Sequence, residues 1–236
     1  MKFKLLSISL LAFSTCAFAQ NRMGLDLGVG IPSFANSKGN DANLSTYNTN
    51  ATFTGQVYYQ RKIAKHIYFG AKAAFEQYSF DYTKTQADGL GGSYGTVVSH
   101  TSSYLHVGPM VDVGVGRKRE YLHGFLYATA GFLMSGAQTT RDYHETFSQP
   151  AAAFDNTHAT DYKINGVIFR IGFGLKQQLP LSKLWYANFT EGFSFMPFGA
   201  VSQPDATGGT DIHPGNFTFQ FGVMHKFKDS RKLSNN

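Results

Sequence analysis

Apolar and polar residues alternate with a period of two along most of the chain after residue 20. A strand places successive side chains on opposite faces, so this pattern is typical of strands whose two faces meet different surroundings. The alternation is clean in six segments and less regular in the fifth and seventh. The eight predicted strands cover residues 24–31, 52–60, 67–76, 105–115, 121–139, 167–176, 183–198 and 217–227.

The connections between these segments differ in length. Short turns are predicted near Ala64, Arg119 and Pro180, whereas four other links are long and rich in Gly, Asn, Asp, Ser and Thr. Short turns at one rim and long loops at the other are typical of an outer-membrane barrel, whose long loops face outside the cell and whose termini are periplasmic. The four predicted loops are residues 34–50, 83–99, 140–158 and 199–214.

The two strand faces differ in chemistry. In the first strand Leu25, Leu27 and Val29 share one face, and Asp26 shares the other with glycines. A soluble barrel of the lipocalin kind would turn the apolar face inward. A membrane barrel is favoured because glycine and charge share a face suited to a narrow hydrated interior, and because aromatic residues fall near strand ends, where interface girdles lie. Those aromatic residues are Tyr58, Tyr59, Tyr68, Tyr121, Trp185, Tyr186 and Phe227.

Composition supports the membrane alternative. Charged residues make up 15% of the chain, aromatic residues another 15%, and there are 25 glycines. A soluble surface usually carries more charge. No stretch beyond the N-terminal segment is long and apolar enough for a helical span, which needs about 20 residues. The net charge is +6, but the basic residues are not gathered into the patch that nucleic acid requires. The predicted fold class is therefore all-β, an eight-stranded antiparallel up-and-down transmembrane β-barrel.

The N-terminus has the features of a secretory signal peptide. Lys2 and Lys4 precede a short apolar run, and Ala17 and Ala19 supply the small residues that a signal peptidase needs. We predict a signal peptide at 1–19, a barrel at 20–228 and a polar C-terminal tail at 229–236. A lipid anchor on Cys16, the only cysteine, is the alternative, and Thr15 before it argues against that anchor. The processed chain would contain no disulfide.

The last strand resembles the C-terminal signal that the barrel-assembly machinery recognises. Its alternating large residues end at Phe227, followed here by a short polar tail. With the signal peptide and the strand pairs, the chain resembles the small outer-membrane-protein β-barrel domain family common in Bacteroidota. The resemblance covers about residues 20–228 and implies fold and location rather than activity. The residues of this assembly signal are Phe217, Phe219, Phe221, Val223 and Phe227.

The predicted inward face carries six charged side chains. An eight-stranded barrel is only wide enough to fill its interior with side chains, so opposite charges there are expected to pair and close the barrel. A narrow gated pore or proton path is the alternative. The six residues are Asp26, Lys72, Glu76, Asp112, Arg170 and Lys176.

Signals for chemistry are weak. His100 and Ser102 can share a strand face, and such a pair is similar to that of outer-membrane lipid A deacylases, in which histidine activates serine. Ser103 and Tyr104 do not extend that pattern, and no acid is indicated. His144, His158 and His213 fall in predicted loops without recognised ligand spacing, so we expect no metal and no cofactor.

Two residues fit the strand pattern badly. Pro109 cannot donate to a ladder, which predicts a bulge or local irregularity. Glu191 alternates with Phe189 and Phe193 and would face lipid unless a bulge turns it inward.

The sequence favours a non-enzymatic protein of the bacterial outer membrane. Its interior would be plugged by side chains, and its four loops would serve surface interaction or envelope integrity. A small pore or transport accessory and a lipid A-modifying enzyme are the alternatives. The expected partners are outer-membrane lipid, the barrel-assembly machinery during insertion, and an extracellular ligand at the loops, but not nucleic acid.

Overall fold

The computed structural model describes residues 20–36, 45–87, 93–115, 121–146, 149–158, 163–198, 201–202 and 212–227. The predicted signal peptide at 1–19 and the tail at 229–236 lie outside these residues. The described chain is built from twelve strands: β1 Asn21–Asn36, β2 Ser45–Thr49, β3 Thr52–Ala64, β4 Ile67–Ala87, β5 Ser93–Val115, β6 Leu122–Thr146, β7 Gln149–His158, β8 Lys163–Ile164, β9 Val167–Pro180, β10 Trp185–Phe195, β11 Val201–Ser202 and β12 Ile212–Lys226.

Eight of these strands close a barrel. Each pairs antiparallel with its neighbours in the order β1, β3, β4, β5, β6, β9, β10, β12. The barrel closes where β1 pairs with β12, from Arg22 opposite Lys226 to Asn36 opposite Ile212. All eight predicted strands are present in this up-and-down path. The closed ladder satisfies the backbone hydrogen bonds of every barrel strand without leaving a sheet edge.

The apolar face of the barrel points outward. Leu25 on β1 is 44% exposed, whereas its neighbour Asp26 is fully buried. The same contrast separates Phe69 from Lys72 on β4. Among the described residues no helix is long and apolar enough to cross a membrane. Apolar side chains outside and polar side chains inside are the arrangement of a barrel bathed in lipid, and the predicted fold class is confirmed.

The outward apolar residues form a band around the barrel, here called the apolar belt. On β4 it runs from Ile67 to Phe75, which matches the about 9–11 residues that a tilted strand needs to cross a bilayer. Its upper edge is marked by Ile31, Phe53, Phe75, Leu105, Phe132, Val167, Phe195 and Phe217. The chain termini of the barrel, at Asn21 and Lys226, lie at the lower edge.

Three strands continue far above the apolar belt. β4 pairs with β5 as far as Ala87 opposite Ser93, and β5 pairs with β6 as far as Ser93 opposite Glu145. We call this part, residues 77–87, 93–104 and 135–146, the sheet extension. Two further strands pair with it: β2 with β4, and β7 with β6.

The sheet extension corrects the predicted loops. Most described residues of 83–99 belong to β4 and β5, and those of 140–158 belong to β6 and β7. The range 34–50 contains the end of β1 and all of β2, and 199–214 contains β11 and the start of β12. Polar, glycine-containing segments were predicted as loops because their outward face is not apolar, but a strand above the membrane has water on its outer face. Lys65 and His66 form one predicted short turn, residues 181–184 form another, and the turn near Arg119 lies outside the described residues.

The two irregular residues keep the strand register. Pro109 pairs with Ala71, and on its other side the β5–β6 ladder is interrupted between Val107 and Met110 without a shift. The bulge in this ladder lies higher, between Ser103 and Tyr104. The expected irregularity at Pro109 is therefore a gap in pairing rather than a bulge.

Glu191 faces outward from the apolar belt. It pairs with Leu175 on β9 and with Phe219 on β12, both outward residues, and neither ladder shifts its register near it. No bulge turns this carboxylate inward.

The predicted aromatic girdle is partly wrong. Tyr58 and Tyr68 are 2% and 1% exposed and lie inside the barrel, because each alternates with inward polar residues. Glycines on the opposing strands make room for such rings. A Cβ at Gly24 would lie 2.3 Å from the Tyr58 ring, and one at Gly172 would lie 2.3 Å from the Tyr127 ring. Inward glycine therefore leaves space for tyrosine rings at these positions.

Replacing Gly172 with alanine tests this packing. The added methyl group would overlap Tyr127 and force the ring to move, so we expect the free energy of unfolding to fall by roughly 1–3 kcal/mol. Unfolding by urea in detergent micelles can be followed through the fluorescence of Trp185, the single tryptophan. The control is Gly124→Ala, because a Cβ there meets no atom within 4 Å. Equal losses in the two variants would contradict the packing argument.

Candidate functional site

The barrel interior holds all six charged residues singled out in the sequence. Asp26, Asp112 and Lys176 are fully buried, Arg170 is 1% exposed, Glu76 2% and Lys72 4%. They lie on four strands, β1, β4, β5 and β9, and at several heights in the barrel. Polar side chains connect them into three clusters.

The lowest cluster surrounds Asp112 on β5. Its carboxylate accepts hydrogen bonds from Arg22 on β1 and from Lys176 on β9, the second at 3.1 Å. Arg22 also donates to Gln60 at 3.0 Å and lies 3.6 Å from the centre of the Tyr68 ring. Two cations therefore neutralise one buried carboxylate, which satisfies a charge that would be costly to bury alone.

The middle cluster surrounds Asp26 on β1. Gln56 donates to its carboxylate at 2.9 Å, Asn188 at 3.1 Å and Thr190 at 3.4 Å. Asn188 also donates to the Tyr58 hydroxyl at 2.7 Å. These donors come from β3 and β10, which flank β1 and β12 on opposite sides, so the cluster links strands across the barrel closure.

The upper cluster surrounds Glu76 on β4. Arg170 on β9 forms an ion pair with its carboxylate, Tyr78 donates to it at 3.0 Å, and Asn216 donates at 3.4 Å. Arg170 also donates to Ser194 on β10. The nearby Lys72 ammonium lies 3.5 Å from the centre of the Tyr127 ring, a favourable position for a cation over an aromatic face.

Together the three clusters fill the interior with polar side chains from all eight barrel strands. On β6 the His123 Nδ1 atom lies 3.9 Å from the Asp112 carboxylate, and the Tyr127 and Phe125 rings also point inward. Such a network stabilises and rigidifies a barrel when most of its members are satisfied.

A groove of about 380 Å³ lies on the outer surface at the lower edge of the apolar belt. It is lined by Met23, Gly24, Leu25, Trp185, Val223, His225 and Phe227.

His100 and Ser102 meet inside the sheet extension. The His100 Nε2 atom lies 2.8 Å from the Ser102 hydroxyl, and its Nδ1 atom lies 2.9 Å from the Gln138 amide nitrogen. Burial lowers the pKa of His100 to about 4, so the ring is neutral at neutral pH. With the amide nitrogen donating to Nδ1, the ring proton is on Nε2 and points at serine. A general base would need that nitrogen free of a proton, as a carboxylate on Nδ1 arranges in hydrolases.

The pair also faces away from lipid. Ser102 is 1% exposed, and the Phe80 ring packs 4.6 Å from the His100 ring. The geometry suits a hydrogen bond that fixes the inner face of the sheet extension.

The three histidines considered as metal ligands lie in strands rather than loops. His144 belongs to β6, His158 to β7 and His213 to β12. Their side chains lie outside the part of the chain that the structure describes. Across the residues that are described, no three His, Cys, Asp or Glu side chains come together as a metal site.

The residues of the predicted assembly signal all face outward at the barrel closure. They are between 40% and 68% exposed, and Phe221 is the most exposed. The Phe189 and Phe221 rings lie 4.8 Å apart on β10 and β12. This strand therefore presents a row of large apolar side chains to lipid.

No family model matches the chain, and no curated protein matches it. The structure is similar to that of Neisserial surface protein A, with a TM-score of 0.40 at 10% identity over 88% of this chain and 97% of that chain. It is also similar to the outer membrane protein OprG from Pseudomonas aeruginosa, with a TM-score of 0.42 at 12% identity over 89% of this chain and 98% of that chain.

Identities this low carry no information about activity, and the fold rests on the strand register described above. The closed register, the polar interior and the apolar exterior define the class of the protein: it is a small transmembrane β-barrel of the outer-membrane type.

Several interior residues were missed in the sequence. Arg22 precedes the first predicted strand, although it alternates with Asp26. The same parity could have placed Tyr58 beside Gln56 and Gln60 on the inner face. Asn188 and Asn216 were missed because a partner on another strand gives a neutral amide its role, and sequence distance does not show that partner.

The Glu76–Arg170 pair can be tested by removing one partner at a time. Arg170→Met leaves a buried carboxylate without its cation, and we expect the free energy of unfolding to fall by about 3–5 kcal/mol. The double variant Glu76→Gln with Arg170→Met should recover most of that loss, because no buried charge is left unpaired. Urea unfolding reports both values.

Lys183→Met in the exposed turn between β9 and β10 is the control, with an expected change within about 0.5 kcal/mol. A double variant as unstable as Arg170→Met alone would contradict the pairing.

Proposed function

We propose that this protein is a non-enzymatic scaffold of the bacterial outer membrane that presents the sheet extension outside the cell for surface interaction. Its termini face the periplasm. The observation that carries the proposal is the length of the sheet: more residues of β4 lie above Phe75 than below it. They pair with β5 as far as Ala87 and with β2 from Phe80 to Lys84. A barrel that only anchors itself in lipid has no need of strands beyond the membrane.

The outer face of the sheet extension has the chemistry of a surface for polar ligands. Its outward side chains include Ser99, Thr101, Thr139 and Arg141. Paired strands hold such side chains in fixed positions, so binding loses less conformational entropy than binding by a flexible loop. Surface glycans and envelope or host proteins are the ligands that this chemistry fits.

The filled interior supports a role other than conduction. The carboxylates of Asp26, Glu76 and Asp112 each bind a donor from a strand that is not their neighbour, namely Asn188, Arg170 and Lys176, and these contacts cross the interior at three heights. Membership in the small outer-membrane-protein β-barrel domain family common in Bacteroidota remains part of the proposal and rests on the last strand and the signal peptide.

Shortening the sheet extension tests the surface role. Thr83 pairs with Val97, so residues 84–96 can be replaced by Asn-Gly, a two-residue turn suited to a hairpin. We expect heat-modifiable folding to persist, because the apolar belt is untouched, and binding of cells that display the protein to glycan and matrix-protein arrays to fall to background. Lys183→Ser at the opposite rim is the control. Unchanged binding by the shortened protein would contradict the proposed surface role.

A second candidate is a small pore, favoured by the continuous run of polar side chains inside the barrel. Recordings of the refolded protein in planar bilayers distinguish the two functions. We expect no sustained conductance, because ion pairs and tyrosine rings occupy the interior at the depth of the apolar belt. Stable single-channel steps from the unaltered protein would favour the pore.

A third candidate, a lipid A-modifying enzyme, rests on the hydrogen bond between His100 and Ser102. We expect Ser102→Ala to leave the lipid A acylation pattern of expressing cells unchanged, since the serine faces the interior and Gln138 stands where a carboxylate is required. Mass spectrometry of extracted lipid A measures the pattern. A change that follows Ser102→Ala, but not Ser99→Ala on the outer face, would support the enzyme.

A further inference from the structure

Four inward positions line up across neighbouring strands inside the apolar belt. Lys72 on β4 pairs with Gly108 on β5, and Thr129 on β6 pairs with Arg170 on β9. Gly108 lies against Thr129, since a Cβ on the glycine would be 2.8 Å from the threonine Cα and 2.1 Å from the Ala128 carbonyl oxygen. Only glycine fits there, so no side chain separates Lys72 from Thr129.

His106 is the next inward residue of β5 and completes the group. Its ring lies over Gly131, because a Cβ on that glycine would be 2.6 Å from it. Lys72, His106, Thr129 and Arg170 are each at most 4% exposed. We call these four residues the donor cluster.

Several polar atoms of the donor cluster are buried without a hydrogen-bond partner. They are the Thr129 hydroxyl, the Arg170 Nε atom and both ring nitrogens of His106. The Lys72 ammonium lies over the Tyr127 ring. Buried polar atoms are almost always satisfied in proteins, and leaving one unsatisfied costs about 1–3 kcal/mol. Unpartnered atoms occur elsewhere in the interior too, for example on Arg22 and Gln60. Those of the donor cluster lie at neighbouring positions of β5, β6 and β9, where one shared partner would satisfy them.

The partner must accept hydrogen bonds rather than donate them. Arg170 and Lys72 have donors only, and a threonine hydroxyl donates readily. A water molecule would bring two hydrogens, for which only the Thr129 oxygen and one nitrogen of a neutral His106 could serve as acceptors, whereas Lys72 and Arg170 offer none. The Glu76 carboxylate is already bound by Arg170, Tyr78 and Asn216. An anion accepts from all four groups and donates nothing.

Counted with every lysine and arginine protonated and every carboxylate ionised, the interior has one positive charge in excess. Among the described residues, the buried lysines and arginines are four, Arg22, Lys72, Arg170 and Lys176, and the buried carboxylates are three, Asp26, Glu76 and Asp112. Two of the four cations belong to the donor cluster. We propose that the donor cluster binds one small monovalent inorganic anion, of the size of chloride or bromide, inside the closed barrel.

The proposal is tested first by anion-dependent stability. The refolded protein in detergent micelles is heated at constant ionic strength in sodium chloride, sodium bromide or sodium gluconate, whose anion is too large for a filled interior. A ligand that binds only the folded state raises its stability, so we expect a Tm about 2–4 °C higher in the halides. Equal Tm values in the three salts would overturn the proposal.

Variants locate the effect. Thr129→Val removes one donor at nearly constant volume and should abolish the halide dependence, whereas Thr129→Ser should retain it. The matched control is Thr140→Val, since Thr140 is also buried on β6 with an unpartnered hydroxyl but lies above the apolar belt. A halide effect that survives in Thr129→Val, or is lost equally in Thr140→Val, would contradict the assignment.

A crystal of the unaltered protein grown in sodium bromide decides the matter without any variant. Anomalous scattering at the bromine edge should give a peak in contact with Lys72, Thr129 and Arg170. A water molecule in that position with no anomalous signal would refute the proposal, even if every variant failed to fold.

Discussion

Closure of the sheet is the constraint on which the rest of this structure depends. Once β1 pairs with β12, every barrel strand has a hydrogen-bonded neighbour on each side, and only then can the backbone lie in lipid. Closure with eight strands also fixes the width of the interior. That width admits side chains but no wide aqueous channel, so the inward residues must satisfy one another. The alternation of the sequence therefore has two consequences: a lipid-facing exterior and a filled, polar interior.

The interior meets this requirement by combining charge with packing. Asp112 is neutralised by two cations, Glu76 by one, and Asp26 accepts from three neutral donors. Glycines such as Gly24 and Gly172 leave room for tyrosine rings, and those rings receive the ammonium groups of lysine. The same tight packing leaves several hydrogen-bond donors around Thr129 without an acceptor. A polar interior of this kind can stabilise a barrel and still hold a specific place for one small ion.

The exterior changes its character at the upper edge of the apolar belt. Below that edge Glu191 is the one charged outward side chain in the described part of β10, among phenylalanines. Above it, β4, β5 and β6 continue as a paired sheet with threonine, serine and arginine on the outside. Because strands rather than loops carry these side chains, their relative positions are fixed. The contrast between the two zones supports a membrane anchor below and an interaction surface above.

The sequence by itself determined the eight strands and their faces, because alternation with a period of two follows from the geometry of a single strand. It does not depend on the register in which that strand pairs with its neighbours. It placed Asp26, Lys72, Glu76, Asp112, Arg170 and Lys176 on the inner face for the same reason. It did not show the sheet extension, since a strand with water on its outer face loses the apolar signal. Which residues meet was decided only by the tertiary structure. Asp26 and Asn188 are 162 positions apart, and only barrel closure brings them to 3.1 Å. Residue order along a strand sets which face a side chain takes, whereas the stagger between strands sets what it touches.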